Sequence, residues 1–215
     1  VRTGPGGAAA AEDPAVARLR AAVRALAELT RDRPPTGRRH DNADDVAGTA
    51  GTDDAVGFDP LPVLRALAAA GATVVVMGQV AGIMHGSREP TGDLDLLWDG
   101  DPAQAPALAA GFAAVSAGLV DDDGAPVPCR PAAFALPKVV FRTATASGDC
   151  CTPALGWGDL PIAAYLARAR VARTGGGYPI RYLDRADLIA MRLAVGRPKD
   201  LRRAAELARL PDRSA

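Results

Sequence analysis

Aromatic residues are scarce in this chain: Phe, Trp and Tyr make up 4% of 215 residues. With 48% of residues hydrophobic, a core is affordable only if Val, Leu, Ile and Ala carry it. Net charge is absent as well, at 25 basic against 25 acidic residues. That balance excludes a bulk basic field for non-specific nucleic-acid or membrane binding and leaves room only for a local basic patch. No stretch approaches the ~20 apolar residues of a membrane span. Cys129, Cys150 and Cys151 make an odd count without metal-type spacing. Adjacent cysteines on a strand point to opposite faces, so the expectation is structural thiols in a reducing compartment. The opening "VRTGPGGAAAAEDP" has no basic-then-apolar leader pattern, and the expected location is cytoplasmic.

What is present divides the chain in two. Residues 1–57 read as a flexible extension with one amphipathic helix over residues 14–32. Asp13 is its expected N-cap and Pro14 its first residue. Val16, Leu19, Val23 and Leu26 share one face, which is expected to dock on the body of the protein rather than on a partner. Residues 34–57, rich in Gly, Asp and Thr without periodicity, predict a disordered linker that includes His40.

Residues 58–212 read as the folded domain, of α/β (α+β) class, with a small mixed sheet, flanking helices and a helical C-terminal end. The pattern predicts a helix ending at Gly71, a buried strand "TVVVM", a short helix closed by Gly86 and a strand "DLDLLW". A helix within "PAQAPALAAGFAAVSAGLV" that begins after Pro106 and runs to residue 120, a turn at "DDDGAPVP" and a hairpin from "KVVFRTAT" to "DCCTP" come next. A helix "DLPIAAYLARARVA", a strand "YPIRYL" and two helices separated by Gly196 and Pro198 complete the reading.

The chemistry concentrates in "PTGDLDLLWDG". Period two puts Asp93 and Asp95 on one face of a strand, with Leu94 and Leu96 on the other. Two carboxylates so placed repel each other unless a cation lies between them, and Mg²⁺ suits hard oxygen ligands. A pair at a frayed strand end in water satisfies the same spacing. Gly78 lies fifteen residues earlier, between a strand and a short helix, where backbone N–H groups can receive a phosphate.

The run "VVVMGQVAGIMHGSREPTGDLDLLW" resembles the nucleotidyltransferase fold of the DNA polymerase β superfamily, and within it the minimal nucleotidyltransferases related to abortive-infection toxins. The tail "LDRADLIAMRLAVGRPKDLRRAAEL" is similar to the same group's ending, so the resemblance covers about residues 58–210. It implies a sheet of the nucleotidyltransferase type and transfer of NMP from an NTP to a hydroxyl of an RNA (tRNA) or protein acceptor. It also implies a toxin-type role with an antitoxin or other partner protein. By the same resemblance Asp93 and Asp95 hold Mg²⁺ (or Mn²⁺), Gly78 and the N–H groups after it hold the phosphates, and Arg192 and Lys199 neutralise their charge. Asp200 then orients Lys199 or caps its helix, and a surface charge pair is the alternative for both.

Two positions depart from the family pattern. Gln79 replaces a small residue and either crowds the phosphate or lends an amide donor. Cys151 aligns with the usual third carboxylate, with Asp149 two residues earlier on the same face as its substitute and Asp159 as a further stand-in. These departures motivate the alternative of a catalytically weak or inactive nucleotide- or partner-binding member of the fold. His85 contacts the base or caps its helix, the cap being the favoured reading. Arg88 reaches phosphate or acceptor, or is simply solvated.

Overall fold

The structure, a computed structural model, describes residues 11–39 and 48–211. His40 therefore lies outside the described residues. Helix α1 spans Pro14–Thr30, and Asp13 caps it by accepting from the Ala15 N–H at 2.7 Å. Val16, Leu19 and Leu26 are buried, and Arg18 Nε donates to the Met84 carbonyl at 2.9 Å. The helix thus docks on its own chain, as its apolar face predicts.

The sheet is mixed, with eight strands among the described residues. They are β1 (Val75–Val76), β2 (Leu96–Leu97), β3 (Gly118–Val120), β4 (Pro126–Val127), β5 (Lys138–Arg142), β6 (Ser147–Cys151), β7 (Arg170–Arg173) and β8 (Pro179–Tyr182). Their order is β4-β3-β5-β6-β2-β1-β8-β7. At the centre, β2 runs antiparallel to β1 with Val76 opposite Leu96, and parallel to β6 with Leu96 opposite Cys150. These central strands are buried, which accounts for their continuous β-branched and Leu runs. The regular pairing of β2 is short, but Leu94 N–H still donates to the Ser147 carbonyl and Met77 N–H to the Asp95 carbonyl, both at 2.9 Å. The Asp93–Asp95 segment is therefore held as a continuation of the strand.

The remaining helices are α2 (Leu61–Ala69), α3 (Gly78–His85), α4 (Ala105–Ala114), α5 (Ile162–Ala167), α6 (Arg185–Val195) and α7 (Pro198–Arg209). Gly86 and Gly196 stop α3 and α6 in the left-handed conformation. Pro198 opens α7, so the chain leaves α6 at Gly196 and starts a second helix at once, and α6 and α7 pack together. No helix among the described residues is long and apolar enough to cross a membrane.

Three expectations change. Part of the segment read as a disordered linker is folded: residues 49–51 and 53–55 form two tight 3-10 turns, and Thr49, Thr52 and Ala55 are buried. They bury through hydroxyl hydrogen bonds and close backbone packing, neither of which leaves an apolar period in the sequence. The helix expected across residues 159–172 is shorter. Residues 170–173 instead form edge strand β7, because Ala172 pairs with Ile180 inside the core. The helix expected from Pro106 to residue 120 ends at Ala114. Residues 118–120 form β3 instead, paired with β4 inside the stretch read as the "DDDGAPVP" turn, which enlarges the expected small sheet.

Candidate active site

Gly78 is where the site begins. Its φ of +60° lets the chain turn from β1 into α3, and a Cβ there would land on the Asp95 carboxylate. Glycine is required at this point for space as much as for conformation. The opening of α3 and the Asp95 side chain consequently share one floor.

Asp93, Asp95 and Asp149 all face a cleft of about 160 Å³. Asp93 is 8% exposed, and its Oδ1 accepts from the hydroxyls of Thr49, at 2.8 Å, and Thr91. Asp95 is held well above the usual carboxylate range, first by burial and then by the charges of Asp93 and Asp149. Asp149 on β6 therefore stands close enough to be felt by Asp95. Of the two candidates on β6, Asp149 lines the cleft, whereas Cys151 is buried and its thiol is pushed up by burial. Asp159 is exposed and lies outside the lining.

Facing these carboxylates is a cationic wall from α6 and α7. Arg192, Arg197, Lys199 and Arg203 line the same cleft. Arg192 is 5% exposed; its Nη2 donates to the Gly78 carbonyl at 3.0 Å and to Gln79 Oε1 at 2.7 Å. Its Nη1, also buried, has no hydrogen-bond partner among the described residues. Burial and nearby Arg203 push the guanidinium down to about 10, still cationic at neutral pH. A buried donor left open on a cation is a place for an anion. Asp200 pairs with Arg197 at 2.6 Å in the first turn of α7. Arg203 pairs with Glu89 at 2.8 Å.

Gln79 lines the cleft, but its side-chain amide is committed elsewhere. It is 1% exposed, and its amide nitrogen donates to Ser87 Oγ at 2.9 Å and to the Glu89 carbonyl at 2.7 Å. Both amide hydrogens are therefore committed to the 87–89 loop, while its oxygen holds Arg192. The larger side chain fastens Arg192 to the turn after α3.

The accessory pair lies elsewhere. His85 Nε2 meets the Leu183 carbonyl at 2.8 Å and its ring packs against Tyr182, with burial lowering its pKa. Arg88 is exposed, its N–H donating to Glu206 at 2.9 Å. Neither lines the cleft. The sequence reading missed Thr49, Trp157, Arg197 and Arg203, all of which do. For Arg197 a signal existed in "GRPKD", where Arg197 and Lys199 flank the proline that opens α7. Thr49 carries no such signal.

Among the described residues no group of three or more His, Cys, Asp and Glu side chains is poised to hold a metal ion by itself. The donors on offer are the Asp93 and Asp95 carboxylates, hard oxygens that suit Mg²⁺ if other oxygens complete its shell. No protein-family model matches the chain, and no curated protein matches it at a significant level.

Proposed function

We propose that the chain is a metal-dependent nucleotidyltransferase that moves NMP from an NTP to a hydroxyl of an RNA, such as a tRNA, or of a protein. One observation carries the reading: a single cleft sets acidic Asp93, Asp95 and Asp149 against basic Arg192, Arg197, Lys199 and Arg203. A polyanion that arrives with a divalent cation satisfies both sides, and neither half alone does. Asp93 and Asp95 would hold Mg²⁺ (or Mn²⁺), which neutralises charge on the transferring phosphoryl group when bound. Mg²⁺ ordinarily uses one or two carboxylates and takes its remaining oxygens from water and phosphate, so a two-carboxylate set fits.

The chain's own residues do the rest. Arg192 Nη1 donates to a phosphate oxygen, and Lys199 adds charge where pyrophosphate departs. The acceptor oxygen bonds to the α-phosphorus as the bond to the β-phosphate bridge breaks and pyrophosphate leaves. Asp149 takes the acceptor's proton and passes it to solvent. The reading follows the nucleotidyltransferase-type sheet and toxin-like group that the sequence resembles, including an antitoxin-like partner.

The binding-only alternative rested on Gln79 and Cys151. Gln79 is committed to Arg192 and the 87–89 loop, and Asp149 lines the cleft in place of Cys151, so both motives weaken. Incubating the protein with Mg²⁺, each α-labelled NTP and either total tRNA or the protein itself tests the reading. Label transfer that disappears in Asp93→Ala is expected. Saturable NTP binding without transfer to either acceptor would instead establish the binding-only alternative.

A further inference from the structure

The chain has two tryptophans, and they are used differently. Trp98 is a core residue, 1% exposed and set edge-on to Phe134. Trp157 sits on the loop after β6, half-buried among exposed neighbours, and lines the cleft. Its indole N–H donates to the Thr152 carbonyl at 2.7 Å. That bond consumes the ring's one polar group and anchors the indole at its nitrogen edge. What the ring can offer a ligand is its π face.

On α6, Leu188, Met191 and Val195 recur at i, i+3 and i+7, on the same side as Arg192, and line the same cleft. The cleft therefore has apolar surface beside its charged groups. Its neutral polar side chains, Thr49 and Gln79, are already committed, Thr49 to Asp93 and Thr91 and Gln79 to Ser87, Glu89 and Arg192. Among the described residues, no uncommitted neutral amide or hydroxyl side chain lines the cleft to read the hydrogen-bonding edge of a base.

We infer that Trp157 is the platform on which the base of the bound nucleotide stacks, and that the cleft takes a purine nucleoside triphosphate in preference to a pyrimidine one. This rests on the nucleotide reading above. Stacking on an aromatic side chain tolerates any base but grows with ring area, so the two-ring purines gain most. Selection is graded rather than absolute, because the neutral side chains of the described lining are committed elsewhere and do not reject the smaller base. ATP and GTP are expected to bind alike.

Equilibrium binding of ATP, GTP, CTP and inorganic tripolyphosphate, all in Mg²⁺, tests the assignment on the full chain. Wild-type protein should bind ATP and GTP several-fold more tightly than CTP. Trp157→Ala should weaken ATP roughly tenfold, leave tripolyphosphate unchanged, and level the purine–pyrimidine difference, while Trp157→Phe keeps most of the affinity. ATP, but not tripolyphosphate, should also quench tryptophan emission in the wild-type protein, a readout independent of how well the variants fold. If tripolyphosphate binds but ATP gains nothing over it and leaves the emission unchanged, the platform is wrong while the phosphate site stands. If the wild type binds neither compound, the nucleotide reading fails and takes this inference with it.

Discussion

Thr49 and Asp93 are 44 residues apart in sequence, yet the Thr49 hydroxyl donates to Asp93 Oδ1 at 2.8 Å in the buried rim of the cleft. The turn that carries Thr49 is held by further hydrogen bonds and an ion pair. Arg33, just beyond α1, donates to the carbonyls of Ala50 and Thr52, and Asp54 pairs with Arg142 on β5. The turn is pressed so closely on Gly92 that a Cβ there would meet Ala55 Cα at 2.7 Å. The N-terminal segment is thus part of the wall that orients a candidate catalytic carboxylate.

Thr49→Val should expose that dependence. It keeps the volume but removes a donor to a buried carboxylate, a loss of about 1.5–3 kcal/mol for a charged hydrogen bond. Thr91 still donates to the same oxygen, so the low end is expected. Urea unfolding should show a lowered midpoint with unchanged slope, and Thr49→Ser should restore it. A Thr49→Val protein as stable as the wild type would mean that the contact carries no weight.

Gly78→Ala should be worse than an equivalent change elsewhere. Gly57 has a similar φ, +69°, with nothing within 4 Å of an added Cβ, so Gly57→Ala measures left-handed strain alone. At Gly78 the same strain is joined by a collision with Asp95. Strain of this kind costs about 1 kcal/mol or more, and the collision adds to it. Comparative denaturation of the two variants checks this, and equal costs would show that Asp95 swings aside freely.

How much of this arrangement could be read in advance follows from where each signal resides. Asp93, Asp95 and Gly78 were legible because local periods fix them: alternation along a strand, and a glycine between strand and helix. Arg192 and Lys199 were legible through resemblance, and the break between α6 and α7 through Gly196 and Pro198. Thr49 was not, because a threonine in a Gly/Asp-rich stretch looks the same whether it is solvated or bonded to a carboxylate far along the chain. Edge strand β7 was hidden for a related reason. "ARARVA" has helical propensity, and only pairing with β8 overrides it. The choice between Asp149 and Cys151 also needed three dimensions, since period two puts both on one face.

Asp95→Asn should stabilise the metal-free protein while abolishing divalent binding. Burial, with Asp93 and Asp149 adding to it, raises the Asp95 pKa above its ordinary 3.8. The folded state therefore holds this proton more tightly than the unfolded chain does. Stability falls as pH climbs from the ordinary value through the raised one, and stays lost above it. Asparagine removes that penalty, so thermal melts in EDTA should show a pH-dependent gain of about 1 kcal/mol or more at pH 7. Mg²⁺ should raise the melting temperature of the wild type but not of the variant. A variant less stable than wild type at pH 7 in EDTA would contradict the electrostatic account.

Gln79 and Arg192 should prove energetically inseparable. Arg192 is buried, with one terminal nitrogen without a partner among the described residues and the other held by Gly78 and Gln79. Gln79→Ala removes one of those acceptors and also releases the 87–89 loop from the amide nitrogen. Leaving a buried charged donor short of partners costs about 1–3 kcal/mol. Arg192→Met alone should cost less than that side chain's size suggests, because it also deletes a buried charge and its partnerless Nη1. With Arg192 already replaced, Gln79→Ala loses only its loop bonds, so the double mutant should be more stable than the sum of the single losses predicts. A coupling of at least about 0.5 kcal/mol in the double-mutant cycle is expected for groups in direct contact, whereas simple additivity would show that Gln79 only secures the loop. Adding tripolyphosphate should shrink the cost of Gln79→Ala, since a phosphate oxygen then supplies Arg192 with the acceptor it lacks.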